Sequence, residues 1–151
     1  MRKFANLDEL KGAIGQVLGE GDWFTMTQDV IDKFAEATGD FQYIHVDPVK
    51  AKDGPFGTTV AHGFLTLSLM PTLGRSVYRV GGIATGINYG SNKVRFIEPV
   101  KVNSRIRAKV KLLAVEPHPP GQRIVTETTV EIEGNPRPAL VAEILSLMIP
   151  G

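Results

Sequence analysis

The chain has 151 residues, with 17 Lys and Arg against 16 Asp and Glu, a formal net charge of +1 and no cysteine. That length implies one domain with a core of its own, and the even charge balance excludes the basic excess that marks nucleic-acid and anionic-membrane proteins. The lack of Cys excludes disulfides, a thiol nucleophile and Cys-ligated metals and fits a reducing, cytoplasmic compartment, while nothing near Met1 reads as a secretory signal and no apolar run approaches the roughly 18 residues of a membrane span.

Asn6 to Leu18 reads as a first helix. Asn6 with Glu9 three residues on resembles a capping box, and Leu7, Leu10, Ile14, Val17 and Leu18 share one face. Gly19 and Gly21 stop it, so residues 1–21 are expected to form an N-terminal helical extension of a single domain over 1–151. Asp22 to Met26 is a short strand candidate. A second helix runs from Gln28 to about Thr38, with Thr27 as N-cap, Asp29 in the first turn and Gly39 as terminator. Asp40 to Asp47 is expected to be a loop, and Pro48 to Lys52 one helical turn. Residues 53–59, with two Gly and a Pro, continue as loop. His62 to Leu73 is apolar nearly all round, the pattern of a buried helix, and Pro71 should end or kink it.

Beyond Gly82 the texture becomes β. Thr85 to Tyr89 and Lys93 to Glu98 are strand candidates. Ser104 to Glu116 alternates apolar with basic residues, and Arg123 to Glu133 alternates apolar or Thr residues with acidic ones. Pairing these two antiparallel, so that opposed residue numbers sum to 238, sets Arg105 against Glu133, Arg107 against Glu131 and Lys111 against Glu127. Opposite charges across a ladder stabilise it by roughly 0.2–1 kcal/mol each. The basic stripe is then half of a charge-paired, solvated sheet face. Ala139 to Ile149 is apolar on both faces, as in a central strand. Helices first and a long meander around one apolar helix define an α+β chain with its sheet wrapped on that helix.

Two segments carry chemistry. Asp40 leaves the end of a helix and His45 follows five residues later, so a carboxylate and an imidazole converge on one small molecule such as water. The bland reading is that Asp40 bonds nearby backbone amides and His45 is a half-buried loop residue. In Ala61-His62-Gly63, Gly63 opens the apolar helix, where amide N–H groups lack intrahelical partners and can meet an oxyanion. There the alternative is that Gly63 only permits tight packing, and that His62 is a cap or a satisfied core histidine. Ser68 has its own alternative, a hydroxyl bonded to the carbonyl four residues earlier. No GxSxG elbow, zinc spacing or dinucleotide fingerprint occurs. His118 sits in a Pro-rich turn and reads as solvated.

Taken together, Phe34-Ala35-Glu36-Ala37-Thr38-Gly39-Asp40, His45, Ala61-His62-Gly63, Ser68 and Arg95-Phe96-Ile97-Glu98-Pro99-Val100 resemble the MaoC-like (R)-specific enoyl-CoA hydratases, or hydratase 2. The wording GDFQYIHVDP is closest to the NodN-type branch. The resemblance implies a single hotdog fold and a homodimer. It also implies reversible hydration of trans-2-enoyl thioesters, on CoA or an acyl carrier, to (R)-3-hydroxyacyl thioesters. Asp40 and His45 match the family's catalytic pair, and Gly63 and Ser68 its oxyanion and substrate-binding positions. No metal or other cofactor is implied, nor any nucleic-acid or membrane partner. Gln42-Tyr43 stands where the family commonly has Asn-Pro, which bears on loop geometry and acyl selectivity. Two other readings are a hotdog acyl thioesterase and a non-catalytic acyl-carrier or polyketide-associated binding module.

Overall fold

The computed structural model describes residues 1–151. Strand β1 (Arg2–Phe4) leads into helix α1 (Leu7–Lys11), strand β2 (Val17–Glu20) and strand β3 (Phe24–Thr25). Helices α2 (Gln28–Thr38), α3 (Tyr43–Val46), α4 (Pro48–Lys52), α5 (Gly63–Ser68) and α6 (Met70–Gly74) come next. The chain closes with β4 (Tyr78–Val80), β5 (Ile83–Phe96), β6 (Arg105–His118), β7 (Gly121–Ile132) and β8 (Leu140–Pro150).

One antiparallel sheet dominates, in the order β2-β6-β7-β8-β5, with β3 also on β6. Register shifts interrupt the β2–β6, β5–β8 and β6–β7 pairings. Each is a bulge or irregularity that bends and twists its strand, and the curved sheet holds α5 and α6 against its concave face. Leu65, Met70 and Leu73 from these helices join Ile106, Leu112, Ile124 and Leu140 from the sheet in one core. This is the α+β hotdog arrangement expected from the sequence. A separate two-stranded parallel sheet pairs β1 with β4.

The paired alternating strands adopt the expected register. Arg107 lies opposite Glu131 and Lys111 opposite Glu127, until a shift beyond Leu112 moves the ladder by one residue. Arg105 and Glu133 form an ion pair at 3.1 Å, and Arg107 bridges Glu131 at 3.0 Å and Glu20 at 2.9 Å. The two arginines of the basic stripe are therefore neutralised in place. Ala139 to Ile149 does form a central strand, between β7 and β5.

Four expectations need correction. The first helix stops at Lys11, not Leu18. Asn6 caps it as expected, but Gly12 and Gly15 loosen the chain beyond Lys11, and Val17–Glu20 finds a better partner in β6. Residues 1–21 thus hold two strands as well as a helix. The segment from Asp40 to Asp47 is not all loop, because Tyr43–Val46 closes a helical turn. Residues 85–89 and 93–98 belong to one long strand, bulged rather than broken. Finally, the apolar helix is neither continuous nor buried all round. Pro71 cannot donate to the Leu67 carbonyl, so the helix breaks at Leu69 into α5 and α6. Phe64 is 70% exposed on its outer face.

Candidate active site

Helix α2 delivers the first group. Thr27 caps its start, and Gly39 ends it in the left-handed conformation at φ 78°, a geometry that suits glycine. The chain leaves at a sharp angle, and Asp40 follows directly. The Asp40 carboxylate is exposed, and its Oδ1 accepts the Gln42 amide at 3.3 Å. The local-backbone reading of Asp40 is thus true of one oxygen and leaves the other free.

Helix α3 delivers His45, turned inward and buried. Its Nδ1 lies 2.7 Å from the Val60 carbonyl. A carbonyl only accepts, so Nδ1 carries the proton and Nε2 keeps a lone pair. Burial lowers the His45 pKa below its ordinary value. The Val60 carbonyl pulls the other way, the neighbouring His62 lowers it further, and Asp40 raises it. The imidazole is therefore held neutral, as a proton acceptor.

The mounting of His45 rests on residues without a signal of their own in the sequence. Gln28 Nε2 donates to the His45 carbonyl at 2.7 Å and to Asp32 Oδ1 at 2.9 Å. Thr59 Oγ1, fully buried, donates to Gln28 Oε1 at 2.6 Å. The Val60 amide donates to the Ile44 carbonyl at 2.9 Å. These bonds stitch α3 to residues 59–61, which are anchored to residues 100–102 by Ala61 N–H to Val100 O and Val102 N–H to Thr59 O.

His62 is the third group. It stands at the N-cap position of α5, as the cap reading has it, but its side chain makes no cap bond there. Its ring is 3% exposed, stacked on His45 with centroids 3.8 Å apart and 23° between planes, and tilted against Phe34 on its other side. Nε2 donates to the Asp40 carbonyl at 3.0 Å, while Nδ1 is buried with no partner. Asp40, His45 and His62 bring one donor atom each within 4.8 Å of one another. These three residues could hold a metal ion.

Gly63 begins α5 and is exposed. Neither its amide nor that of Phe64 donates to any group of the protein. A cavity of about 280 Å³ opens here, bordered by Ile44, His45, Phe56, Gly63 and Phe96. A Cβ at position 63 would come 3.0 Å from Phe96 Cε1, a tight contact that the half-exposed Phe96 ring would have to give way to. Ser68 closes α5, with its side chain on the exposed side. Its hydroxyl donates to the Phe64 carbonyl at 2.6 Å, as the bland reading has it. His118 is half-buried, edge-on to Tyr89, rather than fully solvated.

A curved sheet on a broken helix, with a carboxylate and a neutral imidazole beside free backbone amides, defines a class of acid–base sites that need a polarised carbonyl. The chain belongs to the MaoC-like domain family, whose pattern matches residues 9–135. It is 51% identical over 144 residues to 3-hydroxyacyl-thioester dehydratase Z of Mycobacterium tuberculosis, covering 95% of both chains. It is 42% identical over 146 residues to nodulation protein N of Rhizobium leguminosarum, covering 95% of this chain and 91% of the other. Its fold is similar to that of the unliganded R-hydratase PhaJ1 from Pseudomonas aeruginosa, at a TM-score of 0.74 and 22% identity over 91% of this chain and 83% of that one.

Proposed function

We propose that this protein reversibly hydrates trans-2-enoyl thioesters, on CoA or an acyl carrier, to (R)-3-hydroxyacyl thioesters. The observation that carries the reading is the Asp40 carboxylate within 4.8 Å of the His45 ring, with His45 and the Gly63 amide, which donates to no group of the protein, on one cavity. The 51% identical relative named as a 3-hydroxyacyl-thioester dehydratase supports it, since dehydration is the same reaction run backwards.

In this mechanism water sits between Asp40 and His45. The lone pair on His45 Nε2 accepts one hydrogen bond and orients the water. Asp40 takes the other proton as the oxygen bonds to the β-carbon, then returns that proton to the α-carbon. Electron density displaced from the double bond collects on the thioester oxygen, where the Gly63 N–H meets it. Ser68 has spent its proton on Phe64, so it serves as an acceptor for an amide of the thioester arm. The thioester itself acidifies the α-position, and the step calls for no metal or redox cofactor.

Strand β5 is an edge of 14 residues, exposed along almost its whole length, with Ile87, Tyr89 and Phe96 outward. Such an edge is a template for pairing with a second copy, and Phe64 beside it would be covered in the process. A homodimer through β5 is therefore part of the proposal. No helix is long and apolar enough to cross a membrane, and the cysteine-free composition suits the cytoplasm.

The test is a series of enoyl thioesters from crotonyl to dodecenoyl, with conjugated absorbance and free thiol followed together. Hydration removes the absorbance and releases no thiol. Thiol release would favour the thioesterase reading, and binding without any reaction the non-catalytic one.

A further inference from the structure

A second cavity, of about 480 Å³, lies between the α5–α6 helices and the concave face of the sheet. Leu67, Pro71 and Gly74 border it from the helix side. Leu67 follows Gly63 by about one turn of α5, and Pro71 and Gly74 lie on α6 beyond the break at Leu69. With a rise of 1.5 Å per residue, Leu67 lies roughly 6 Å from Gly63 along the α5 axis. Gly63 itself borders the smaller cavity, which shares no lining residue with this one, so an acyl chain held at Gly63 reaches this cavity only along the helix face.

The cavity wall is largely apolar, with Leu67, Met70, Ile144 and Met148 among its residues, yet it carries hydroxyls that an alkyl chain does not need. The inward stripe of β7 reads Ile124, Thr126, Thr128, Val130, Ile132, and both threonines are only 5% exposed. Valine has nearly the same shape and buries without desolvating a hydroxyl, so packing does not ask for threonine here. The two Oγ1 atoms lie 3.4 Å apart, and neither makes another side-chain hydrogen bond. Each hydroxyl can donate once and accept twice, so most of that capacity is unspent. Ser146 on β8 stands opposite Ile124 and diagonal to Thr126, with Asn88 of β5 on its other side. Tyr78 adds a phenol, which burial pushes up to about 12, leaving it an O–H donor at neutral pH. All five residues line the cavity.

We propose that this cavity receives the acyl group and selects acyl groups bearing an oxygen function, a hydroxyl or a carbonyl, that reaches Thr126, Thr128 and Ser146. The inference rests on the hydration reading for its placement of the thioester at Gly63. A plain alkyl chain would leave these buried hydroxyls facing methylene groups. An oxygenated chain pairs with them, and a site built to hydrogen-bond discriminates strongly against a ligand that lacks the partner.

The test compares two medium-chain enoyl thioesters of equal length, one alkyl and one hydroxylated toward its far end. The wild-type protein is expected to favour the hydroxylated one by about 10–100-fold in kcat/KM, the size of one or two hydrogen bonds. The double variant Thr126→Val, Thr128→Val should lower kcat/KM for the hydroxylated thioester and raise it for the alkyl one. Indifference of the wild type, or an equal loss on both substrates in the variant, would overturn the inference. Titration calorimetry with the corresponding saturated thioesters, which cannot be hydrated, separates the two readings. Tighter binding of the hydroxylated saturated thioester without turnover of either enoyl substrate would sustain the cavity assignment and sink the hydration reading. Tighter binding of the alkyl one would sink the cavity assignment whatever the turnover.

Discussion

His62→Phe removes a ring nitrogen pair while keeping a flat ring between His45 and Phe34. One bond is lost, from Nε2 to the Asp40 carbonyl, a loss of about 0.5–1.5 kcal/mol. One penalty goes with it, because the buried Nδ1 has no partner, and an unsatisfied buried group costs about 1–3 kcal/mol. The two offset, so thermal stability should hold or rise. Turnover should not hold. The Asp40 backbone loses its tether, and misplacing a catalytic group by about 1 Å can cost on the order of 10²-fold. A fall in kcat of roughly 10–100-fold is expected. The acid limb should also move. His62 helps to lower the His45 pKa, so its removal raises that pKa and shifts the loss of activity to higher pH. Melting curves and pH–rate profiles on the purified variant check both points. A folded variant with wild-type kcat and an unshifted acid limb would refute the role given to His62.

Asp40→Asn and His45→Gln should each lower kcat by about 10²–10⁴, the usual scale of acid–base catalysis, with circular dichroism unchanged. In the wild-type protein, turnover should persist as pH falls through the ordinary histidine value of about 6.5 and fail only below it, because the His45 pKa is lowered. The same shift has a stability sign. Between the lowered folded pKa and the ordinary unfolded one, the unfolded chain binds more protons, so the His45 contribution to stability is full above about 6.5 and declines as pH falls. Gly63→Val should cut kcat by about 10²–10³, like loss of an oxyanion contact. The side chain invades the space held by Phe96, yet Phe96 is 50% exposed and can swing aside, so the melting temperature should change little. Light scattering at micromolar concentration should report twice the 16.4 kDa chain mass, whereas the single mass would contradict the β5 dimer.

The fold was legible where pattern and partner agreed. The alternation of residues 104–116 and 123–133 specified not only strands but their register, because a one-residue slip would turn charges into the core. Helix α2 was legible from both its caps. The first helix was not, since Leu7, Leu10, Ile14 and Val17 satisfy a helical period that the sheet overrides once β6 offers Val17–Glu20 an edge. Asp40, His45 and Gly63 could be picked out by residue type and order. Gln28 and Thr59 could not, because a side-chain clamp across 31 residues leaves no spacing to read. His62 stood in view beside Gly63, but only the stacked ring and the orphaned nitrogen separate it from an ordinary core histidine.

The central claim is that water is added to carbon and the thioester is left whole. Reaction of crotonyl thioester with the purified protein in water enriched in heavy oxygen tests this most directly. Mass spectrometry of the products should place the label on the third carbon of an (R)-3-hydroxyacyl thioester, with the Asp40→Asn protein giving almost none. Label in a free carboxylate, with release of thiol, would contradict it.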